Sequence, residues 1–168
     1  MSKTERKNLT DLFTVSRMPR INTRDQIPGD IPIITNSKNI PAGYIGNDVP
    51  VVPGDVIALG KFGDAHYIAF PFTASDVMVL QTPDGEKLGP EFGLYIVAQL
   101  NALYEYANYA DSVTLAKLAE TKVEVPITEK GEIDYQAVRD KMRPIMEKAR
   151  THVDKLVKQY ERYKKEKK

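Results

Sequence analysis

The sequence predicts an α+β protein: a small, curled antiparallel β-sheet domain with a packed helix, followed by a long coiled-coil helix. Three observations predict it. Short β-branched and aromatic runs recur between Pro/Gly turns across the first half. Apolar residues then fall at helical spacing between positions 91 and 106. Beyond position 135, Met142, Met146, Ala149, Val153, Leu156, Tyr160 and Tyr163 alternate steps of four and three, a seam of period 3.5.

In chain order, Leu9, Leu12, Phe13 and Val15 form a first apolar cluster, followed by a loop holding Arg17, Met18, Pro19 and Arg20. Gly29-Asp30 turns the chain into an apolar strand over 31–35. A long polar loop, 36–47, carries Asn36, Lys38, Asn39, Tyr44 and Asn47. Strands are expected at 49–52, 56–59, 65–70 and 77–81, with Pro53-Gly54-Asp55, Lys61-Phe62-Gly63-Asp64 and Pro83-Asp84-Gly85 as turns. Residues 91–106 form a helix through Phe92, Tyr95, Ile96, Leu100 and Leu103, expected to pack across the sheet.

Residues 122–127 alternate polar and apolar side chains, which suits a half-buried strand, and Pro126, lacking an amide donor, puts it at an edge. Asp134 then offers a capping carboxylate to a helix starting at 135. The chain thus divides into a body, 1–134, and a helix, 135–168. The seam is too narrow and too long to be covered wholly by a small body, so it calls for a second helix, the alternative being a helix folded back on its own domain with a solvated Lys-rich end; Pro144 should kink it or restart it.

Charge follows the same division. Residues 135–168 hold 12 Lys/Arg against 5 Asp/Glu, residues 1–24 hold 6 against 2, and residues 25–134 hold 6 against 16. The absence of Cys excludes disulfides and thiolate metal sites and fits a cytoplasmic protein. No apolar run approaches the ~20 residues of a bilayer span, and Met1 to Lys7 have no apolar segment behind them, so neither a membrane helix nor a signal peptide is expected.

The order of motifs resembles a known family. Gly29-Asp30-Ile31-Pro32-Ile33-Ile34 precedes the Asn-rich loop. Pro53 to Gly60 reads PGDVIALG, and Pro71 to Leu80 reads PFTASDVMVL. The expected helix holds Gly93-Leu94-Tyr95-Ile96. Thr114-Leu115-Ala116-Lys117-Leu118, Val125-Pro126 and Gly131-Glu132-Ile133-Asp134-Tyr135 close the body. Together these resemble a target recognition domain of the DNA specificity subunits in type I and type IIB-like restriction-modification systems.

The resemblance implies a non-catalytic subunit that recognises double-stranded DNA for a methyltransferase (modification) subunit, with no cofactor of its own. A full specificity subunit resembles two such units joined by antiparallel helices. This chain corresponds to half of one, so a homodimer, or pairing with another half specificity subunit, is expected through Met142, Met146, Ala149, Val153, Leu156, Tyr160 and Tyr163.

Candidate DNA contacts follow from side-chain chemistry within that frame. Arg17 and Arg20 suit phosphates; Asn36, Asn39 and Asn47 can pair with adenine, Lys38 can reach guanine or a phosphate, Tyr44 sits in the same loop, and Lys61 is a further candidate contact. By composition alone the loop reads equally as a hairpin connection whose asparagines serve turn geometry. Tyr106 and Asn108 lie in a tyrosine-rich stretch, 104–109, suited to stacking or to finishing the preceding helix against the core. Where the family commonly carries Tyr-Gly and basic residues, this chain has Tyr109-Ala110-Asp111-Ser112.

Other chemistry is poorly supported. Pro83-Asp84 with Glu120-Thr121-Lys122 matches the loose pattern of metal-dependent nucleases, but Asp84 sits in ordinary turn chemistry. His66 and His152 are too far apart in sequence to suggest a metal pair, and there is no phosphate loop, nucleophile elbow or Asp/Asn-Pro-Pro-Tyr/Phe tetrapeptide. The acidic body leaves a second expectation open: a specificity-subunit-like protein that modulates such a complex as a decoy without reading DNA.

Overall fold

The computed structural model describes residues 2–167, with the side chain of Asp84 also outside the described residues. Strand β1 (Lys3–Asn8) leads into a single turn, α1 (Leu9–Leu12), and strand β2 (Thr14–Arg17). After a short 3-10 turn at Thr23–Asp25 come β3 (Pro28–Ile34), β4 (Gly43–Ile45), β5 (Val56–Leu59), β6 (Ala65–Ile68), β7 (Thr73–Ala74) and β8 (Met78–Gln81). A 3-10 turn at Pro83–Gly85 precedes α2 (Pro90–Leu103), α3 (Leu115–Glu120), β9 (Lys122–Ile127) and α4 (Tyr135–Glu166). Among the described residues, no helix is long and apolar enough to cross a membrane.

Three sheets form among the described residues, where the sequence suggested one. The central sheet is antiparallel in the order β2-β8-β5-β6, a second runs β4-β3-β7 with β3 and β7 parallel, and β1 pairs with β9 as a separate ribbon. Burial explains the central position of β5. Its run Val56-Ile57-Ala58-Leu59 is buried throughout, as expected of a strand covered on both faces. Ile57 and Leu59 join Leu80, Phe92, Ile96 and Leu100 beneath α2. Val56 and Ala58 join Ile34, Ile68, Phe72 and Val79 on the side of the second sheet.

Several expectations are corrected. Residues 49–52 form no strand: Val52 makes one bridge, to Phe72, because prolines at 50 and 53 remove the amides a ladder needs. The polar loop at 36–47 contains β4, and its register opposite β3 places Tyr44 across from Pro32. The polar N-terminus, unassigned by pattern, is β1. Lys3 to Asn8 pair with Ile127 to Lys122, and Thr4 lies opposite Pro126. β9 is an edge strand as its proline requires: among the described strands β1 is its one ladder partner, beside a lone bridge from Ile127 to Ile133.

Two local anchors fix the layers. The turn ahead of β5 puts Asp55 in the left-handed region, φ 56°. Its carboxylate accepts hydrogen bonds from the Tyr67 hydroxyl at 2.6 Å and from the Leu88 and Gly89 amides at 2.9 and 3.0 Å, which ties the turn to the start of α2. Burial raises the Asp55 pKa, but those donors and Lys87 outweigh it and hold the group below the usual carboxylate range; Tyr67 is pushed upward by burial and by the same carboxylate. At Gly93, a Cβ would lie 2.5 Å from the Tyr67 ring, so α2 can approach β6 this closely with glycine there.

Helix α4 begins as its capping residue dictates, with Asp134 accepting from the Ala137 amide at 3.0 Å. It runs through Pro144 as one helix of 32 residues, about 48 Å at 1.5 Å per residue. Its first turns belong to the body. Val138 and Met142 are buried in the core under α2, Met146 packs against that core, Tyr135 meets the Phe92 ring edge-on at 5.2 Å, and Arg143 pairs with Glu91 at 3.4 Å. Residues 147–167 are all exposed. Met142 and Met146 are therefore covered intramolecularly, and the uncovered seam comprises Ala149, Val153, Leu156, Tyr160 and Tyr163, with Val157 beside it.

Candidate nucleic-acid interface

The candidate residues do not all share one surface. Arg17, at the end of β2, and Lys61, in the turn after β5, converge on a residue absent from the sequence expectations, Asp76. Asp76 lies between β7 and β8 with φ 57°, a backbone that Asp and Asn tolerate better than most side chains. Its carboxylate accepts from both the Arg17 Nε, at 3.1 Å, and Nη2 on one oxygen, and from Lys61 Nζ at 3.3 Å on the other. Burial pushes the Asp76 carboxyl up, but the two cations prevail and hold it below its ordinary value.

The surrounding backbone is held from three directions. The Ser75 amide donates to Ile34 O at 2.9 Å, the Met18 amide donates to Val77 O at 2.9 Å, and the Ser75 hydroxyl exchanges hydrogen bonds with the Ile21 backbone. Asn36 completes the frame. Its side-chain oxygen accepts from the Lys61 amide at 2.8 Å and its amide donates to Asp76 O at 3.2 Å, so both ends serve the architecture. Beside this cluster runs an open groove lined by Arg20, Asn22, Thr35, Ser37, Lys61 and Asp76.

Lys61 also joins the groove to the stretch between α2 and α3. Its ammonium lies 5.3 Å from the Phe62 ring centre and 5.6 Å from that of Tyr109, and the two rings pack at 5.5 Å. Gly63 makes this closeness possible: at φ 90°, a Cβ would sit 2.3 Å from Tyr104 O. Tyr106 and Tyr109 are more than four-fifths exposed. Asn108 is a turn residue, accepting from the Ala110 and Asp111 amides and donating to Tyr106 O.

Lys38 and Asn39 share the Asn36 loop, and their side chains make no hydrogen bond or ion pair among the described residues. Tyr44 lies opposite Pro32, two residues from Ile34, whereas Asn47 lies beside Ile27 at the far end of β3, roughly 20 Å from Ile34 at 3.3 Å per residue. There Asn47 accepts from the Ile27 amide and donates to Asp25 O, both at 2.8 Å. The carboxylates of the nuclease-like pattern gain no support: Glu120 ends α3 on the surface, and the Asp84 side chain lies outside the described residues.

This charged, loop-built face acquires a family context from sequence comparison. Residues 1–152 match the model of the type I restriction modification DNA specificity domain. The chain belongs to that family. No curated protein sequence matches this specificity domain significantly. Among solved structures it is similar to the S subunit of the type I restriction-modification system from M. genitalium, at TM-score 0.66 and 14% identity over 94% of this chain and 42% of that one. It is also similar to the HsdS subunit from Thermoanaerobacter tengcongensis, at 0.59 and 12% over 88% and 38%. A chain from a study of complex assembly and conformational transition in the type I system gives 0.59 and 11% over 93% and 43%. The specificity domain thus spans less than half the length of each neighbour, and at these identities the likeness is one of fold.

Sequence reasoning missed Asp76 because its partners stand 59 and 15 residues away. One signal was available: an Asp between two short apolar runs, in a place where αL backbone is common for that residue type.

Proposed function

We propose that this specificity domain reads a DNA sequence for a restriction-modification complex and leaves methyl transfer and cleavage to other chains. The observation that carries the reading is the convergence of Arg17 and Lys61, with Arg20 in the adjoining groove, next to the loop that presents Lys38 and Asn39. Cations at such a rim suit phosphates, and short polar side chains on an adjacent loop suit base edges. Tyr44, Tyr106 and the Tyr109 ring would extend the contact to either side. Asn36, Asn47 and Asn108 would hold the reading loops in shape instead of touching bases.

The exposed seam of α4 supports pairing with a second helix, from another copy or from a second specificity chain, and docking onto a methyltransferase subunit. Two helices of about 48 Å paired antiparallel would set two reading faces roughly 10–15 base pairs apart on an inverted, bipartite target.

The test is selection of bound duplexes from a random DNA pool, with and without the methyltransferase partner, followed by salt titration of the selected site. A reader making about six phosphate contacts loses orders of magnitude in affinity between low and moderate salt. The acidic body and the pairing of Asp76 with both cations favour a second reading, a decoy that takes the subunit's place without reading DNA. Failure to retain any duplex at low salt, with the partner present, selects the decoy. Cleavage or methylation by the purified chain with Mg²⁺ and methyl donor would overturn both.

A further inference from the structure

We infer that Asp76 is a specificity-determining charge gate, an internal anion that occupies Arg17 and Lys61 until a DNA phosphate, secured by base contacts from the neighbouring loop, competes for them. The inference rests on the DNA-reading proposal and adds to it the residue that keeps the face from binding any duplex indiscriminately.

Four observations carry it. Among the described ion pairs, Asp76 is the one carboxylate that holds two cations. It is itself recessed, its side chain 16% exposed, whereas that of Arg17 is 59% exposed. The arrangement is built from distant parts of the chain: Asn36 bonds both the Asp76 carbonyl and the Lys61 amide, so anion and cation are set by one side chain of the candidate reading loop. And Arg17 is seen to use only Nε and Nη2 toward Asp76, so that three of its five N–H donors have no partner among the described hydrogen bonds on a side chain that is mostly exposed.

A carboxylate and a phosphodiester carry the same charge and accept from the same donors. With Asp76 in place, Arg17 and Lys61 together contribute a net of about one positive charge instead of two to a passing backbone, which lowers non-specific affinity, a term governed by cation number. At a cognate site, base contacts from Lys38 or Asn39 add a term that random sequence does not provide. The gap between cognate and random DNA widens because those base contacts hold the cognate backbone close enough to draw Arg17 and Lys61 onto phosphate, whereas a random duplex, not so held, leaves them on Asp76.

The experiment compares the unmutated chain with Asp76→Asn and Asp76→Gly, both of which accept the left-handed backbone, on a selected duplex and a random duplex across a salt series. Both variants should bind random duplex several-fold to tenfold more tightly, with a log–log salt slope steeper by about one, and their cognate-to-random ratio should fall. Weaker binding to both duplexes with an unchanged slope would overturn the gate and make Asp76 a structural clamp. If the unmutated chain and both folded variants retain no duplex at any salt, the DNA-reading proposal itself fails, a result recognisable because no slope exists to compare.

Discussion

Asp55 and Asp76 have nearly the same backbone, φ 56° and 57°, and both carboxylates are held below their ordinary pKa, yet their partners differ in kind. Asp55 receives two backbone amides and a tyrosine hydroxyl, groups that cannot leave without opening the join between β5 and α2. Asp76 receives an arginine and a lysine, whose long side chains can swing to another anion while the backbone stays put. Similar conformation and charge thus serve stability in one turn and exchange in the other. The mobility of the partner decides which.

The largest effect should come from breaking the first turn. Asp55→Ala leaves the Leu88 and Gly89 amides without their acceptor and places Ala at positive φ, which together should cost about 3 kcal/mol and lower Tm by roughly 6–10 °C. Asp76→Asn, whose partners are cations within reach of water, should cost less than about 1 kcal/mol. Calorimetry of both variants decides whether the two turns differ as argued, and equal losses would refute the distinction. Acid titration sharpens it. Each depressed pKa contributes stability that is complete above the unfolded value, about 3.9, and lost as pH falls through the folded one. Asp55→Ala and Asp76→Asn should therefore each flatten the loss of stability below about pH 4, which assigns part of the acid lability to each turn.

How much of this was legible in the sequence follows the same line. Pro53-Gly54-Asp55 announces its turn, Asp134 announces the cap of α4, and period 3.5 announces a seam, because each signal lies within one or two turns of chain. The β1 strand was invisible: Lys3 to Asn8 are polar throughout, and their pairing is imposed by β9, more than a hundred residues later. The pairing of Asp76 with Arg17 and Lys61 was invisible for the same reason, although its place between two short apolar runs hinted at a turn. For the asparagines, composition gave residue type but not employment, and employment depends on which amides the fold brings within 3 Å.

That employment yields the next prediction in size. Asn36→Ala removes two hydrogen bonds inside the frame around Asp76 and should cost about 1–2 kcal/mol, read by urea unfolding. It should also loosen binding to cognate and random DNA alike, as the positions of Lys61 and Asp76 are no longer fixed. A folded, fully stable Asn36→Ala protein that loses preference at one base position would instead make Asn36 a reader.

Along α4 the same contrast between anchoring and presenting recurs within one helix, since Met142 is fixed in the core and Val153 and Leu156 are open to water. Val153→Asp combined with Leu156→Asp should leave the unfolding midpoint of the dilute protein unchanged within about 0.5 kcal/mol. Its effect should appear only in sedimentation, as loss of self-association at tens of micromolar, because a charge inside a helix pair would lack a counterion. If the unmutated chain is already monomeric there, the seam belongs to a different chain.

The smallest effect on stability, and the most selective on function, is expected at Asn39. Its side chain is exposed on the loop and unbonded among the described residues, although its backbone amide donates to the Ser37 hydroxyl at 3.1 Å. Asn39→Ala should therefore leave the fold intact within about 0.5 kcal/mol. If Asn39 reads a base, the variant loses about 1–3 kcal/mol of discrimination at one position of the selected site, keeps its preferences elsewhere and keeps its salt slope, because no phosphate contact is removed. Arg17→Gln should do the reverse: reduced affinity for every sequence, a shallower slope and preserved base preferences. The pair can be read from one selection experiment and one salt titration. A uniform loss from Asn39→Ala would assign the loop to backbone positioning and move the search for base readers to Lys38 and to the tyrosines around Tyr109.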